Sequence, residues 1–563
     1  MKVVIIGGVA GGATAAARLR RLDEQAEIVV FERSGYVSYA NCGLPYYIGG
    51  VIEDPEALTL QTPESFFDRF RVDMRVRHEV TALHPDKKTV SVKNLETGAE
   101  FEEPYDKLIL SPGAKPTQPR LPGVGLEKLF TLRTVEDTFR IKDYINAHHP
   151  KSAVLAGGGF ISLELAENLR ELGMDVTIVQ RPRQLMNPFD PDMAAFIHGE
   201  VRRHGIRLAL GHTVEGFAEQ DGGVDVLLKD AAPLHADMVV LAIGVTPDTA
   251  LARHAGLELG LKGSIVVNDR METSAPDIYA VGDAVQVKHF VTGQDAVISL
   301  AGPANKQGRI AADNICGGDS RYQGSQGSSV IKVFDLTAAA TGVNETNAKK
   351  AGLDVDTVVL SPMSHAGYYP GGKLMTMKVV FERGTCRLLG AQIVGYEGVD
   401  KRIDVLATAI RAGLTAIQLK DLDLAYAPPY SSAKDPVNMA GFMVENLANG
   451  VVKQFHTEDV SALPQDGSVT LLDARTAEEY AGGHIEGFRN IPVDKLRERL
   501  GEIEPGKPVY VICQSGLRSY IACRILAGYG YEAYNFAGGF RFYDAVTNDR
   551  RLIEQATACG MDQ

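Results

Sequence analysis

Two rhythms of apolar and polar positions divide this chain. In the first, short branched-apolar runs stand on either side of a longer mixed stretch. Residues 2–6 and 27–32 predict buried strands, and the positions from about 12 to 22 predict a helix between them. The same order returns at Ala153-Val154-Leu155-Ala156, with a helix to Glu171 and a strand at Val176-Thr177-Ile178-Val179. Strands alternating with helices of this length predict parallel βαβ units. From 323 to 447 the rhythm changes to longer strands, Lys373–Phe381 and Arg387–Val394, and then a helix over Val399–Ala412. That order predicts a separate α+β unit. Residues 448–458 read as a short polar connection, and a last unit fills 459–563.

Composition narrows the classes of function. At 563 residues the chain exceeds one core, and roughly three to four domains are expected. A net charge of −13 disfavours nucleic acid. No apolar run approaches the roughly 18 residues of a membrane helix, and the first residues read directly as a strand rather than a signal peptide. Six scattered cysteines, none in a CxxC pair, make neither a disulfide framework nor a zinc site. A reducing, cytoplasmic setting and no metal are expected.

Gly7-Gly8-Val9-Ala10-Gly11-Gly12 follows the first strand and opens the helix, and Glu32 ends the next strand. Such glycines allow a tight turn and close approach, the helix start faces a pyrophosphate, and the carboxylate takes ribose hydroxyls. Val9 stands where the pattern has its middle glycine. Farther on, Thr273–Asp283 with its Gly282-Asp283 end resembles the late flavin motif of two-dinucleotide-fold flavoproteins. Leu108-Ile109-Leu110-Ser111-Pro112-Gly113-Ala114 resembles their crossover strand. The resemblance implies bound FAD, with contacts from these glycines, Ala10, Glu32, Ser111, Gly113, Gly282 and Asp283, and also from Arg33, Val80, Arg133 and Ala301.

The second glycine turn, Gly157-Gly158-Gly159-Phe160-Ile161-Ser162, is followed by Glu164. By the same resemblance, Gly157, Gly159, Phe160, Ile161, Glu164 and Gly244 hold NAD(P)H. A carboxylate at position 180 would favour NADH, but Gln180 is neutral, and Arg181 and Arg183 follow. These arginines meet a 2′-phosphate or form a solvated turn. NADPH or both nucleotides are expected, with NADH not excluded.

Two cysteines carry candidate chemistry. Cys42 lies in Ser38-Tyr39-Ala40-Asn41-Cys42-Gly43-Leu44-Pro45, and five residues later stands Tyr47, so no local disulfide can form. A lone thiol can shuttle as a mixed disulfide or a sulfenic acid. The following Gly43-Leu44-Pro45 reads as a helix start, which would lower the thiol pKa. On the first helix Thr14, Arg18 and Arg21 share a face suited to phosphates. Cys513 lies in Cys513-Gln514-Ser515-Gly516-Leu517-Arg518-Ser519, between an apolar strand and a helix. Its loop can aim N–H groups at an anion, and Arg518 adds charge. Cys316, Cys386, Cys523 and Cys559 have no motif around them and read as structural.

The Ser38–Tyr47 segment closely resembles that of coenzyme A-disulfide reductases, and 459–563 resembles rhodanese domains, through Leu471–Arg475, Gly483–Gly487 and the Cys513 loop. The chain as a whole resembles fusions of the two within the pyridine nucleotide-disulfide oxidoreductase superfamily. The implied fold is α/β, with two Rossmann-like dinucleotide-binding domains, an α+β dimerisation domain and a C-terminal α/β rhodanese domain. The expected boundaries are 1–110 and 246–322 for FAD, 111–245 for NAD(P)H, 323–447 for dimerisation, a linker at 448–458 and 459–563 for rhodanese. The implied activity is NAD(P)H-dependent reduction of a persulfide, polysulfide or disulfide by a homodimer with shared active sites. Cys42 is the redox thiol; Ser38, Asn41, Thr14, Arg18 and Arg21 bind coenzyme A. Tyr368 and Tyr426, with Tyr369 and Tyr430 as neighbours, serve acid–base chemistry across the dimer, and Cys513 carries sulfane sulfur. Two alternatives stand beside it: an NAD(P)H oxidase or peroxidase using a Cys42 sulfenic acid, and a last domain that only binds or senses a partner.

Overall fold

Lys2–Ile6 pairs in parallel with Glu27–Phe31 on one side and Lys107–Leu110 on the other. Ile278–Ala280 and Asp73–Arg75 complete a five-stranded parallel sheet. Val3, Val4 and Ile5 are fully buried, as strands covered on both faces require. The computed structural model describes residues 1–559; the side chain of Cys559 lies outside the described residues.

A second five-stranded parallel sheet runs Leu129–Phe130, Met238–Leu241, Ser152–Ala156, Asp175–Gln180 and Arg207–Leu210. Both sheets belong to one compact unit, Met1–Arg183 with Gly205–Gly327. Each glycine turn links a strand end to a helix, Ala10–Leu22 in the first case and Phe160–Glu171 in the second.

The second unit comprises Gln184–His204 and everything from Ser328. The expected 111–245 stretch is therefore interrupted: the helix Pro191–Arg203 packs with the later residues. Buried charge explains the attachment. Lys378, 2% exposed, lies 2.7 Å from Asp192, 2.7 Å from Glu345 and 3.2 Å from Asp190. A lysine so desolvated persists only with carboxylates around it. Asp549 near the C-terminal end meets His198 at 2.8 Å and Arg202 at 2.5 Å on the same helix.

Within this unit, five antiparallel strands run in the order Ser329–Val333, Leu336–Gly342, Leu388–Gly395, Met375–Glu382, Val355–Leu360. The helix Val399–Arg411 covers them. The last sheet is parallel: Lys453–Phe455, Ala533–Phe536, Val509–Ile512, Thr470–Asp473, Arg489–Asn490. Its first strand falls within the expected 448–458 linker, so the connection is shorter than predicted. Among the described residues no helix is long and apolar enough to cross a membrane, and no His/Cys/Asp/Glu group could hold a metal.

Candidate active site

The first glycine turn is a cradle that side chains would fill. At Gly7, with φ +98°, a Cβ would lie 2.1 Å from the Ser111 carbonyl oxygen; at Gly12 it would lie 1.8 Å from that of Gly7. Val9 sits at φ −103°, so this position does not need the positive φ that glycine supplies. The Glu32 carboxylate, buried at the strand end, accepts the N–H groups of Gly8 and Ser34, each at 2.9 Å. Arg133 and Asp283 pair at 2.7 Å, Arg33 pairs with Asp248 at 2.9 Å, and the Gly282 N–H reaches Gln307 at 2.7 Å. Val80 is buried on the strand His78–His84, Gly113 takes φ +67°, and Ala301 opens the helix Ala301–Ile315. The donor set and the space denied to side chains fit a dinucleotide such as FAD.

The second turn repeats the design. A Cβ on Gly157, at φ +121°, would lie 2.2 Å from the Ala242 carbonyl oxygen, whereas one on Gly159 or Gly244 would meet nothing within 4 Å. Open space over Gly159, just before Phe160 and Ile161 start the helix, admits a ligand backbone. Gln180 ends its strand and Arg181 lies exposed beyond it.

Cys42 occupies a single turn, Asn41–Gly43, between the strand Val37–Tyr39 and the six-residue helix Leu44–Gly49. Ser38 is held at φ +46°, a strained region for serine, with its N–H on the Gly8 carbonyl at 2.8 Å. That bond ties the cysteine loop to the first glycine turn. Tyr47, where a second thiol would stand, packs edge-on against Phe139 at 5.7 Å. Gly49 lets this helix pack on Phe160–Glu171; a Cβ there would strike Asn168 at 1.9 Å.

The Cys42 thiol stands above its ordinary pKa rather than below it. Although the residue is exposed, desolvation by the protein around it raises the pKa, and Glu164 raises it further against the pull of Arg133. Burial, with Glu167 nearby, pushes Glu164 itself up to about 7. Glu164→Gln removes a charge that opposes the thiolate. In the ligand-free protein, alkylation of Cys42 at pH 8 is expected to quicken about threefold or more. At pH 6, where Glu164 is already protonated, the variant and the parent should react alike.

The expected coenzyme A face is partly committed elsewhere. Arg18 pairs with Asp313 at 2.7 Å, and the Thr14 hydroxyl donates to Asn305 at 2.9 Å. Both are drawn to the neighbouring helix Ala301–Ile315, a packing that spacing along one helix cannot reveal. Arg21 is exposed, and Asn41 lies beside Cys42.

In the second unit, Tyr368 and Tyr426 are 76% and 45% exposed, and their hydroxyls share one hydrogen bond of 2.7 Å. This bond raises the pKa of Tyr426. Tyr369 and Tyr430 are exposed nearby in sequence but outside that bond.

Cys513 ends the strand Val509–Ile512 and is fully buried. Its Sγ accepts the Gly516 N–H at 3.1 Å and the Ser519 hydroxyl at 3.2 Å. The loop rests on Gly539, at φ +75°, where a Cβ would come within 2.6 Å of the Gln514 backbone. Arg518 is not a free cation here. Glu479 grips it with two bonds, 2.6 and 2.7 Å, and the carboxyl falls to about 2. Its charge thus reaches Cys513 as part of an ion pair. Arg475, buried against Asp473 and over the Phe540 ring at 4.0 Å, also reaches Gln514 at 3.3 Å. In the sequence, Arg475 and Glu479 stand out only as parts of rhodanese-like motifs, with no role at Cys513, and Gly539 does not stand out at all. The segments that hold them are Asp473-Ala474-Arg475, Glu478-Glu479 and Gly538-Gly539, and their meeting at Cys513 is a tertiary fact. Cys386 and Cys523 are buried and Cys316 partly so.

Comparison with known proteins matches this order of parts. Residues 1–308 match the family model of pyridine nucleotide-disulphide oxidoreductases, 328–436 its dimerisation domain, and 456–545 a rhodanese-like domain. The coenzyme A disulfide reductase of Staphylococcus aureus (strain JH9) is 38% identical over 444 residues, 78% of this chain and 99% of that protein. The crystal structure of reduced Bacillus anthracis CoADR-RHD is 48% identical with a TM-score of 0.95, covering 98% of each chain. An NAD-dependent persulfide reductase from A. fulgidus is 38% identical with a TM-score of 0.90, covering 96% of this chain and 100% of its own. With its two dinucleotide cradles and a lone thiol between them in sequence, the chain belongs to the pyridine nucleotide-disulphide oxidoreductase family and ends in a rhodanese-like domain.

Proposed function

We propose that this protein is an FAD-dependent NAD(P)H reductase of sulfur–sulfur bonds in coenzyme A-type substrates, a disulfide or a persulfide, acting as a homodimer in a reducing cytoplasm. The observation that carries the reading is a lone Cys42 tied to the flavin-type turn, with Tyr47 packed in place of a second thiol. Such a thiol has no neighbouring thiol to pair with and is free to pair with substrate sulfur.

The Cys42 thiolate attacks the substrate disulfide or persulfide. The substrate S–S bond breaks, a Cys42 mixed disulfide forms, and a thiolate or hydrosulfide leaves. Bound FAD supplies this site with the two electrons that NAD(P)H delivers. Gly7, Gly8, Ala10, Gly11, Gly12, Glu32, Ser111, Gly113, Gly282 and Asp283 hold FAD, and Gly157, Gly159, Phe160, Ile161 and Gly244 hold the nicotinamide nucleotide. Ser38, Asn41 and Arg21, with Thr14 and Arg18 sharing their present partners, hold the coenzyme A moiety. Tyr368 and Tyr426 serve Cys42 of the second subunit. An exposed, hydrogen-bonded phenol pair on a dimerisation domain suits a site completed by dimerisation; either hydroxyl can donate to the other, and the one that accepts keeps its own proton for the departing thiolate. Cys513 carries sulfane sulfur, in exchange with the coenzyme A thiol.

The oxidase or peroxidase reading explains Cys42 but leaves the Cys513 loop without work. Mass spectrometry separates the two. After exposure to coenzyme A disulfide, the Cys42 peptide is expected to carry a coenzyme A adduct that dithiothreitol removes. A Cys42 that takes up oxygen from peroxide yet never coenzyme A would overturn the proposal.

A further inference from the structure

The two tyrosines sit on separate loops, Ser364–Gly371 and Tyr426–Ser431, and one buried side chain joins the loops. Arg402, on the helix Val399–Arg411, is 1% exposed. Its Nη2 donates to the Ser364 carbonyl at 2.9 Å, to the Ser431 hydroxyl at 3.1 Å and to the Tyr430 carbonyl at 3.4 Å. Its Nη1 donates to the Gly398 carbonyl at 3.1 Å. Asp435 neutralises it, accepting from Nη2 at 3.1 Å and from Nε at 3.3 Å, and also accepts the Ser431 hydroxyl at 2.7 Å. Besides the phenol pair, the loops meet directly through the Ala366 N–H, which donates to the Ser431 carbonyl at 2.9 Å. Gly398, at φ +70°, leaves room for the guanidinium, since a Cβ would lie 2.1 Å from Nη1.

We infer that Arg402, neutralised by Asp435, is a positioning residue that holds Tyr368 and Tyr426 in one hydrogen-bonded pair for proton delivery to the departing thiolate. The inference rests on the proposed role of those tyrosines. Each phenol is exposed and held by little else than the other, so their alignment depends on the loops beneath. A guanidinium can fork to several carbonyls in one plane, which an ammonium cannot. Loosening the loops by about 1 Å is enough to cost about 10²-fold in rate.

The test uses the FAD-loaded dimer and stopped-flow half-reactions. In Arg402→Met, reduction of the flavin by NAD(P)H is expected at the parent rate, while reoxidation by coenzyme A disulfide falls about 10²-fold with KM little changed. Arg402→Lys should recover part of the loss. By NMR of isotope-labelled tyrosine, Tyr426 should titrate at lower pH in Arg402→Met than in the parent, a change that a purely structural role does not require. If Arg402→Met does not dimerise by light scattering, Asp435→Asn and Ser431→Ala are read the same way. Reoxidation at the parent rate in dimeric Arg402 variants, while Tyr368→Phe and Tyr426→Phe are slow, overturns the positioning role alone. Parent rates in both tyrosine variants overturn the reading beneath it.

Discussion

Cys42→Ser is expected to lower turnover with coenzyme A disulfide or persulfide by at least about 10³-fold, roughly 4 kcal/mol in the barrier. NAD(P)H should still reduce the bound flavin. The two halves separate because the glycine cradles are shaped by backbone rather than by the thiol: a Cβ at Gly7, Gly12 or Gly157 would meet the carbonyl of Ser111, Gly7 or Ala242. Serine preserves the size of the side chain and the Asn41–Gly43 turn but cannot form a bond that an incoming thiol would reverse. Electrons therefore arrive and stay, and stopped-flow absorbance should show a reduced flavin that coenzyme A disulfide does not reoxidise. Tyr47 cannot rescue the variant, as its ring is packed on Phe139.

Cys513→Ser is expected to spare reduction of coenzyme A disulfide and to impair reduction driven by low concentrations of other sulfane donors. A carrier on the same chain offers its sulfur at an effective concentration on the order of millimolar. With donor at about 10 μM, losing the carrier should therefore cost up to about 10²-fold. The geometry of the loop makes serine a mild structural change: the Gly516 N–H and the Ser519 hydroxyl that meet Sγ can meet a hydroxyl oxygen. Equal turnover of the parent and the variant with every sulfane donor would show that the C-terminal domain does not feed Cys42.

Local signals carried much of this architecture. Gly7 and Gly157 follow largely apolar strands, and both adopt positive φ, which favours glycine, so pattern and structure agree there for one steric reason. The Cys42 and Cys513 loops were legible for the same kind of reason, as each lies where a strand gives way to a helix. What sequence spacing hid is contact between distant residues. The attachment of Pro191–Arg203 to the later part of the chain depends on Lys378 and Asp549, far away in sequence. Arg18 looked like a free cation because its partner, Asp313, lies on another helix. Arg518 looked the same way for want of Glu479. For Cys42 the helix start suggested an acidified thiol, but desolvation and Glu164 raise it, and the helix that follows has only six residues.

Anaerobic oxidation of NAD(P)H by the purified FAD-loaded protein, with coenzyme A persulfide as acceptor and sulfide assayed as product, bears most directly on the reaction itself. One sulfide released for each NAD(P)H consumed, and none from Cys42→Ser, is the expected result. NAD(P)H consumption that needs oxygen or peroxide, with no sulfide formed from persulfide or thiol from coenzyme A disulfide, would contradict it.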